Sequence, residues 1–328
     1  MEETLVSRAG LNLVTIQGGP IVGVPLLTRL KNLLKLAGAV GPVWQAMSRF
    51  RPDVLFMTGG YVNAPVAFVA RLRGVPALIY LPDIEPGTAI RWLSRFARLV
   101  ACTAEASKSY FPAGKTVVTG YPVRSALRAA ANMARADALH TFNLTPDRRT
   151  LFVFGGSRGA RSINRALIGI LPQLLTGHQV IHISGNLDWS EVEQSAQKLP
   201  PDLRRFYRPF AYLHEEMGAA FRAADLVVAR AGASMLGECP AFGLPALLVP
   251  YPYAWRYQKV NADFLAERGA AIRLDDERLA TELLPTVQAL FADKSRLAEM
   301  AAAAQALDIP DATGRLGDTI VAIGQKNA

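Results

Sequence analysis

The segment TLFVFGGSRGARSIN, residues 150–164, passes from a continuous apolar run through clustered glycines into a helix that should begin near Ala160. Strand, glycine turn and helix in that order build a parallel sheet covered by helices, whose strands are buried on both faces and so need no alternating polar side. The plan repeats in both directions. After it come QVIHISG (179–185), RFYRPF (205–210), DLVVARAG (225–232), ALLVP (246–250) and AAIRL (270–274). Before it come LNLVTI (11–16), DVLFMTGG (53–60), PALIYL (76–81), LVACT (99–103) and TVVTG (116–120), with helical apolar spacing over 28–50 and 64–74. At roughly 150 residues per domain, the 328 residues hold about two domains. The expected class is α/β, two Rossmann-like doubly wound parallel-sheet domains. Their expected bounds are 1–125 and 150–308, joined by an exposed linker at 126–149 that ends in NLTPDRRT, with a terminal helix at 309–328 folding back over one of them.

A chain that is 51% apolar and 19% charged is neither disordered nor fibrous. Its charge is lopsided: residues 1–125 carry 14 basic and 6 acidic side chains, and the remainder 22 and 21. A one-sided positive field attracts anions, whether nucleic acid, phosphorylated molecules or an acidic membrane. Nucleic acid is disfavoured, because the basic residues lack interleaved aromatics and no binding motif is present. The two cysteines, Cys102 and Cys239, form neither a metal pair nor a disulfide framework, which points to a reducing compartment. No apolar run reaches the ~18 residues of a membrane span, and MEETLVSR has the wrong charge for a secretory leader. The four histidines all lie at or beyond His140, so chemistry in the first half must proceed without imidazole.

Two segments carry chemistry by residue type. In 154–164, Gly155 and Gly156 let backbone N–H groups and a helix N-terminus approach a phosphate, and Ser157 adds a hydroxyl. The spacing fits neither GxGxxG nor a Walker loop, and a ligand-free glycine turn is the competing reading. In 229–262, Glu238 sits on a helix that starts at the carboxyl end of a strand, where open α/β sheets bind ligands and a carboxylate can accept from ribose hydroxyls. An ordinary solvated first-turn glutamate is the alternative.

GGSRGARSIN (155–164), RAGASMLGE (230–238), GLPALLVPYPYA (243–254) and QKVNA (258–262) together resemble the donor half of the MurG glycosyltransferases. TGGYVNAP (58–65), GYPVR (120–124) and IPDAT (309–313) extend the resemblance over nearly the whole chain. It implies a GT-B fold, two Rossmann-like domains facing a cleft. It also implies metal-independent, cofactor-free, inverting transfer of N-acetylglucosamine from UDP-N-acetylglucosamine to an undecaprenyl-diphosphate-linked muramyl pentapeptide in peptidoglycan synthesis. By the same resemblance Gly155, Gly156, Ser157 and Arg124 hold the diphosphate, and Phe210 and Ala211 take the uracil. Ala233, Ser234, Met235, Leu236, Gly237 and Glu238 line the nucleotide, and Gln258 contacts the sugar; Asn261 either contributes or only caps and packs.

The chain departs from the family in two places. The family's first strand and GxGGH loop, with its histidine, have no counterpart here, so the sequence begins downstream of them and the first sheet is expected to be less stable for it. YLPDIEPG (80–87) stands where the family has HEQNxxxG, making Asp83 or Glu85 the candidate base; a proline-rich turn with capping acids is the other reading. Smaller changes at Tyr121, Arg158, Met235 and Tyr257 bear on sugar selectivity.

The expected acceptor is anchored in the inner leaflet, which places the protein peripherally on the cytoplasmic side of the plasma membrane. Residues 25–51 hold five basic side chains, no acid and many leucines, and could lie on anionic headgroups at ~1 kcal/mol per basic residue. A core helix with a solvated basic edge remains open. So do transfer to another lipid acceptor and a UDP-sugar-binding pseudoenzyme or subunit.

Overall fold

The computed structural model describes residues 6, 10–16, 18–19, 23–156, 159–253 and 257–325. Its contacts divide the chain into two compact units: residues 1–81, 86–118 and 314–328 form the first, and 82–85 with 119–313 form the second.

The first unit opens with helices α1 (Leu26–Gly38) and α2 (Val40–Phe50), followed by β1 (Leu55–Met57), α3 (Asn63–Leu72), β2 (Ala77–Leu81), α4 (Thr88–Leu93), β3 (Leu99–Cys102) and β4 (Thr116–Val118). The four strands are parallel in the order β1-β2-β3-β4. β2 shows why the apolar runs do not alternate. Ala77, Ile79 and Leu81 pack with Ile90 and Leu93 of α4, while Leu78 and Tyr80 on the other face meet Leu316 and Ile323 of the C-terminal helix (Ala312–Gln325). That helix, left open between the two halves, therefore closes the first sheet.

One expectation is corrected in this unit. LNLVTI is not a strand: residues 11–16 have no regular structure, and Leu11 and Val14 are both 65% exposed. β-branched residues form a strand only where a neighbouring edge takes up their backbone groups, and among the described residues the sheet stops at β1. The helical spacing over 28–50 is met by two helices, which meet at Ala39.

The second unit begins with α5 (Ser125–Ala130) and α6 (Arg135–Thr141). Residues 126–149 are thus not an exposed connection: Leu127, Ala138, Leu139 and Phe142 are buried. The remaining elements are β5 (Thr150–Phe154), α7 (Arg161–Leu174), β6 (Gln179–Ile183), α8 (Trp189–Gln197), β7 (Tyr207–Phe210), α9 (Met217–Ala223), β8 (Leu226–Arg230), α10 (Met235–Phe242), β9 (Ala246–Val249), α11 (Tyr257–Glu267), β10 (Ala271–Arg273), α12 (Leu279–Ala292) and α13 (Lys294–Ala306). All six strands are parallel, in the order β10-β9-β8-β5-β6-β7. The order reverses between β5 and β8, which leaves a crevice beyond their carboxyl ends where doubly wound sheets bind ligands. β5 is buried on both faces. Leu151 and Val153 join the core with Ile163, Leu167 and Leu171 of α7, and Phe152 and Phe154 pack edge-on against Phe221 of α9 at 5.2 and 5.6 Å.

Candidate active site

A cavity of about 780 Å³ lies at this switch point. Its first wall is the turn from β5 into α7. Gly156 and Gly159 have φ of +84° and +76°, which side chains rarely adopt. A methyl on Gly155 would strike the backbone nitrogen of Ala160, and one on Gly159 the carbonyl oxygen of Ser184. These approaches bring to the cavity edge the start of α7, where a helix has no backbone partners of its own for its first N–H groups, the kind of place that can seat an anion. Gly232, Ser234 and Met235 form a second wall after β8, and Tyr251, Tyr253 and Gln258 a third. Gln258 is fixed by Tyr251, whose N–H donates to its Oε1 at 2.8 Å.

Arg230, at the end of β8, braces the walls. It pairs with Asp276, donates to Ser162 Oγ at 2.7 Å and lies 5.3 Å from the Tyr251 ring centroid. Ser162 in turn donates to Asp276 Oδ1 at 2.7 Å.

A second cluster within the same unit joins Asp83, Tyr121, Arg124, Glu238 and Asn261. Asn261 is fully buried; its Nδ2 donates to Asp83 Oδ1 at 2.8 Å and to the Ala231 carbonyl at 3.2 Å, while its Oδ1 accepts from the Ile84 N–H at 3.1 Å. It therefore fastens the Pro82–Glu85 segment to the end of β8. Burial raises the pKa of Asp83 against the opposing Asn261 bond. Burial also raises Glu238, opposed by its bond from Ser234 and by the Arg124 charge. Tyr121 is pushed up by burial and then by the Glu238 and Asp83 charges, with Arg124 opposing. Gly237 makes room for this tyrosine, since a Cβ there would lie 2.7 Å from Tyr121 Cβ.

Of the residues nominated from sequence, Gly155, Gly156, Ser234, Met235 and Gln258 line the cavity. Glu238 and Arg124 belong to the adjoining cluster with Asp83, and Ala233, Leu236 and Gly237 form the turn and first helical residues between the two groups. Phe210 and Ala211 are not brought into the cavity: β7 is the edge strand, and Phe210 packs edge-on against Phe142 at 5.7 Å. Glu85 is 5% exposed, unlike the half-buried Asp83. Ser157 and Arg158 lie outside the described residues. Sequence reading missed Arg230, Ser162 and Asp276 as one brace, because only the fold joins residues so far apart. Among the described residues, no group of three or more His, Cys, Asp or Glu side chains is placed to hold a metal ion.

Residues 150–316 match the glycosyltransferase family 28 C-terminal domain and residues 1–102 its N-terminal domain. A Roseiflexus sp. (strain RS-1) protein named UDP-N-acetylglucosamine--N-acetylmuramyl-(pentapeptide) pyrophosphoryl-undecaprenol N-acetylglucosamine transferase is 41% identical, the alignment covering 96% of this chain and 80% of the relative. The Bacillus subtilis (strain 168) protein of the same name is 32% identical over 96% of this chain and 86% of its own. The crystal structure of Acinetobacter baumannii MurG superposes with a TM-score of 0.76 at 27% identity, covering 98% of this chain and 87% of that one. A UDP-GlcNAc 2-epimerase from Neisseria meningitidis, at 12% identity and a TM-score of 0.66, shares the fold alone. With two parallel α/β sheets, both family 28 halves matched and relatives above 30% identity along almost its whole length, the chain belongs to the MurG family of GT-B glycosyltransferases.

Proposed function

We propose that the chain transfers N-acetylglucosamine from UDP-N-acetylglucosamine to an undecaprenyl-diphosphate-linked muramyl pentapeptide, with inversion at the anomeric carbon. The observation that carries this reading is the cavity at the β5/β8 switch point, with the glycine turn and helix start at its edge and Glu238 and Gln258 beside it. The start of α7, Ser157 and Arg124 meet the charge that grows on the UDP leaving group, in place of bulk water that would have to reorganise. Glu238 accepts from the ribose, and Gln258 from the sugar. Asp83 is the base. It takes the proton of the attacking hydroxyl as the new bond to the anomeric carbon forms and the bond to the diphosphate oxygen breaks. Its raised pKa suits that role better than an ordinary carboxylate, because proton affinity and ionised fraction are closer to balanced near neutral pH. Glu85 is too buried to reach an acceptor.

The test is a two-substrate assay with radiolabelled UDP-N-acetylglucosamine and the lipid-linked muramyl pentapeptide. Labelled disaccharide lipid is the expected product. UDP binding by calorimetry without turnover on this acceptor would replace the reading with a binding subunit, and turnover on another polyprenyl acceptor would replace the acceptor.

The first unit is the membrane-facing one in this proposal, peripheral on the cytoplasmic side. An apolar groove of about 700 Å³ runs between α1, α3 and α4, lined by Leu33, Phe68, Trp92 and Phe96, with Arg29 at its edge. Beside it α1 turns its leucines outward. Leu26, Leu27 and Leu34 are 67–82% exposed, while Asn32 and Leu36 are buried. Arg29, Lys31 and Lys35 share that helix with no acid, a pairing that suits anionic headgroups over hydrocarbon. No described helix is long and apolar enough to cross a membrane. Flotation with liposomes containing an anionic phospholipid should carry the protein up the gradient, and a Leu27→Glu/Leu34→Glu protein should stay at the bottom. Equal flotation on purely zwitterionic liposomes would remove the electrostatic part of this assignment.

A further inference from the structure

Behind the glycine turn, a chain of buried polar groups runs from the core of the second unit to the cavity edge. Tyr207 Oη lies 2.7 Å from His182 Nδ1, and His182 Nε2 lies 3.0 Å from Asn164 Oδ1. Asn164 Nδ2 donates to the Ser184 carbonyl and to Asp188 Oδ2, each at 2.9 Å. The other carboxylate oxygen, Asp188 Oδ1, accepts from Arg161 Nε at 2.8 Å. His182, Asn164 and Asp188 are 0%, 1% and 6% exposed, whereas the Arg161 side chain is 62% exposed and lines the cavity.

The donors and acceptors have one consistent order. Asn164 Nδ2 is committed to two oxygens, so its Oδ1 must accept; His182 therefore carries its proton on Nε2, and its bare Nδ1 accepts from the Tyr207 hydroxyl. Burial lowers the His182 pKa to about 3, so the ring stays neutral and the order does not change over the working pH range. Every group is satisfied, and a buried network in that condition fixes one geometry. Asp188 supplies an independent sign that this geometry is aimed outward. It stands at the N-cap of α8, where aspartate commonly accepts from the helix's own N–H groups, yet its side chain makes no capping bond and is turned to Asn164 and Arg161 instead.

We propose that Arg161 is a binding residue for the donor diphosphate, and that Tyr207, His182, Asn164 and Asp188 are positioning residues that hold its guanidinium at the cavity edge. The assignment rests on the donor-site reading above and adds to it a further residue on the diphosphate and the device that aims it. With Nε held by Asp188, the planar guanidinium is fixed in direction, so two oxygens of a diphosphate meet it without the loss of side-chain freedom that a loose arginine incurs.

The test is a double-variant cycle read by UDP and uridine affinity and by Tm. Arg161→Ala should weaken UDP about tenfold, the scale of one charge-assisted contact, and leave uridine, which lacks the diphosphate, unchanged. Asp188→Asn keeps the shape but turns an amide toward one of the two donors. It should weaken UDP about fivefold alone and not further in the Arg161→Ala background, where it should also lower Tm less, because the pair with Asp188 is already gone. Asn164→Ala should behave alike if it folds. Wild-type affinity in Arg161→Ala, or an equal loss from Asp188→Asn in both backgrounds, overturns the assignment while leaving the donor site standing. If the unaltered protein takes no UDP, the donor reading falls, and this assignment with it.

Discussion

An Asp83→Asn protein is expected to lose about two to four orders of magnitude in kcat, the range associated with removing a positioned general base, while its KM for UDP-N-acetylglucosamine stays within a few fold. The substitution isolates chemistry from structure. An asparagine oxygen can still accept from Asn261 Nδ2, so the bond that fastens the Pro82–Glu85 segment to the end of β8 survives, as does the bond from the Ile84 N–H to Asn261. What is lost is the capacity to take a proton. The pH profile supplies a second reading. A base works only when ionised, and burial raises the pKa of Asp83 above its ordinary 3.8. Transfer should therefore fall, as pH falls, at a higher pH than an exposed carboxylate would give, and Asp83→Asn should abolish that limb along with the rate. Full activity in Asp83→Asn would return the base to another group.

How much of this was legible beforehand follows from how far each feature reaches along the chain. Nearly every strand of both sheets had an apolar run to announce it, because a parallel strand between two helical layers has no polar face; β7, an edge strand with Arg208 inside it, is the exception. Leu78 and Ile79 point to opposite sides of one sheet and both are fully buried. The same criterion overreached at LNLVTI, where composition was right and no paired edge exists among the described residues. The glycine turn was legible for a local reason: Gly156 and Gly159 take backbone conformations that few other residues tolerate, so their need is written at their own positions. Asn261 shows the opposite case. Capping, packing and ligand contact were equally open from sequence, and only the fold, bringing it to Asp83 and Ala231, shows what its amide does. Arg161 was passed over for a related reason. An arginine in a glycine-rich turn looks like a solvated charge, and its partner Asp188 looks like a helix cap; neither appearance reveals that each is held by the other.

The largest stability effect is expected from Gly159→Ala, and it separates two costs that glycine turns usually confound. At φ of +76° an alanine pays about 1–2 kcal/mol for the left-handed backbone alone. The added methyl then meets the Ser184 carbonyl oxygen, a backbone atom at the end of β6 whose residue also accepts from Asn164, so the obstacle cannot swing aside as a side chain would. Gly156→Ala is the control. Its φ is +84°, yet among the described residues no atom beyond its chain neighbours lies within 4 Å of the new methyl, so the conformational cost dominates. For a domain of this size, where 1 kcal/mol moves Tm by roughly 2–4 °C, Gly156→Ala should melt roughly 2–8 °C below the unaltered protein. Gly159→Ala should melt lower still, at a total cost of about 3 kcal/mol or more once overpacking is included. Affinity should follow the same order, because pushing the turn away from Ser184 also moves the start of α7 and Arg161 with it. Equal melting temperatures for the two variants would mean that the turn yields at Gly159 without resistance, and that its close approach to β6 is not what holds the anion seat in place.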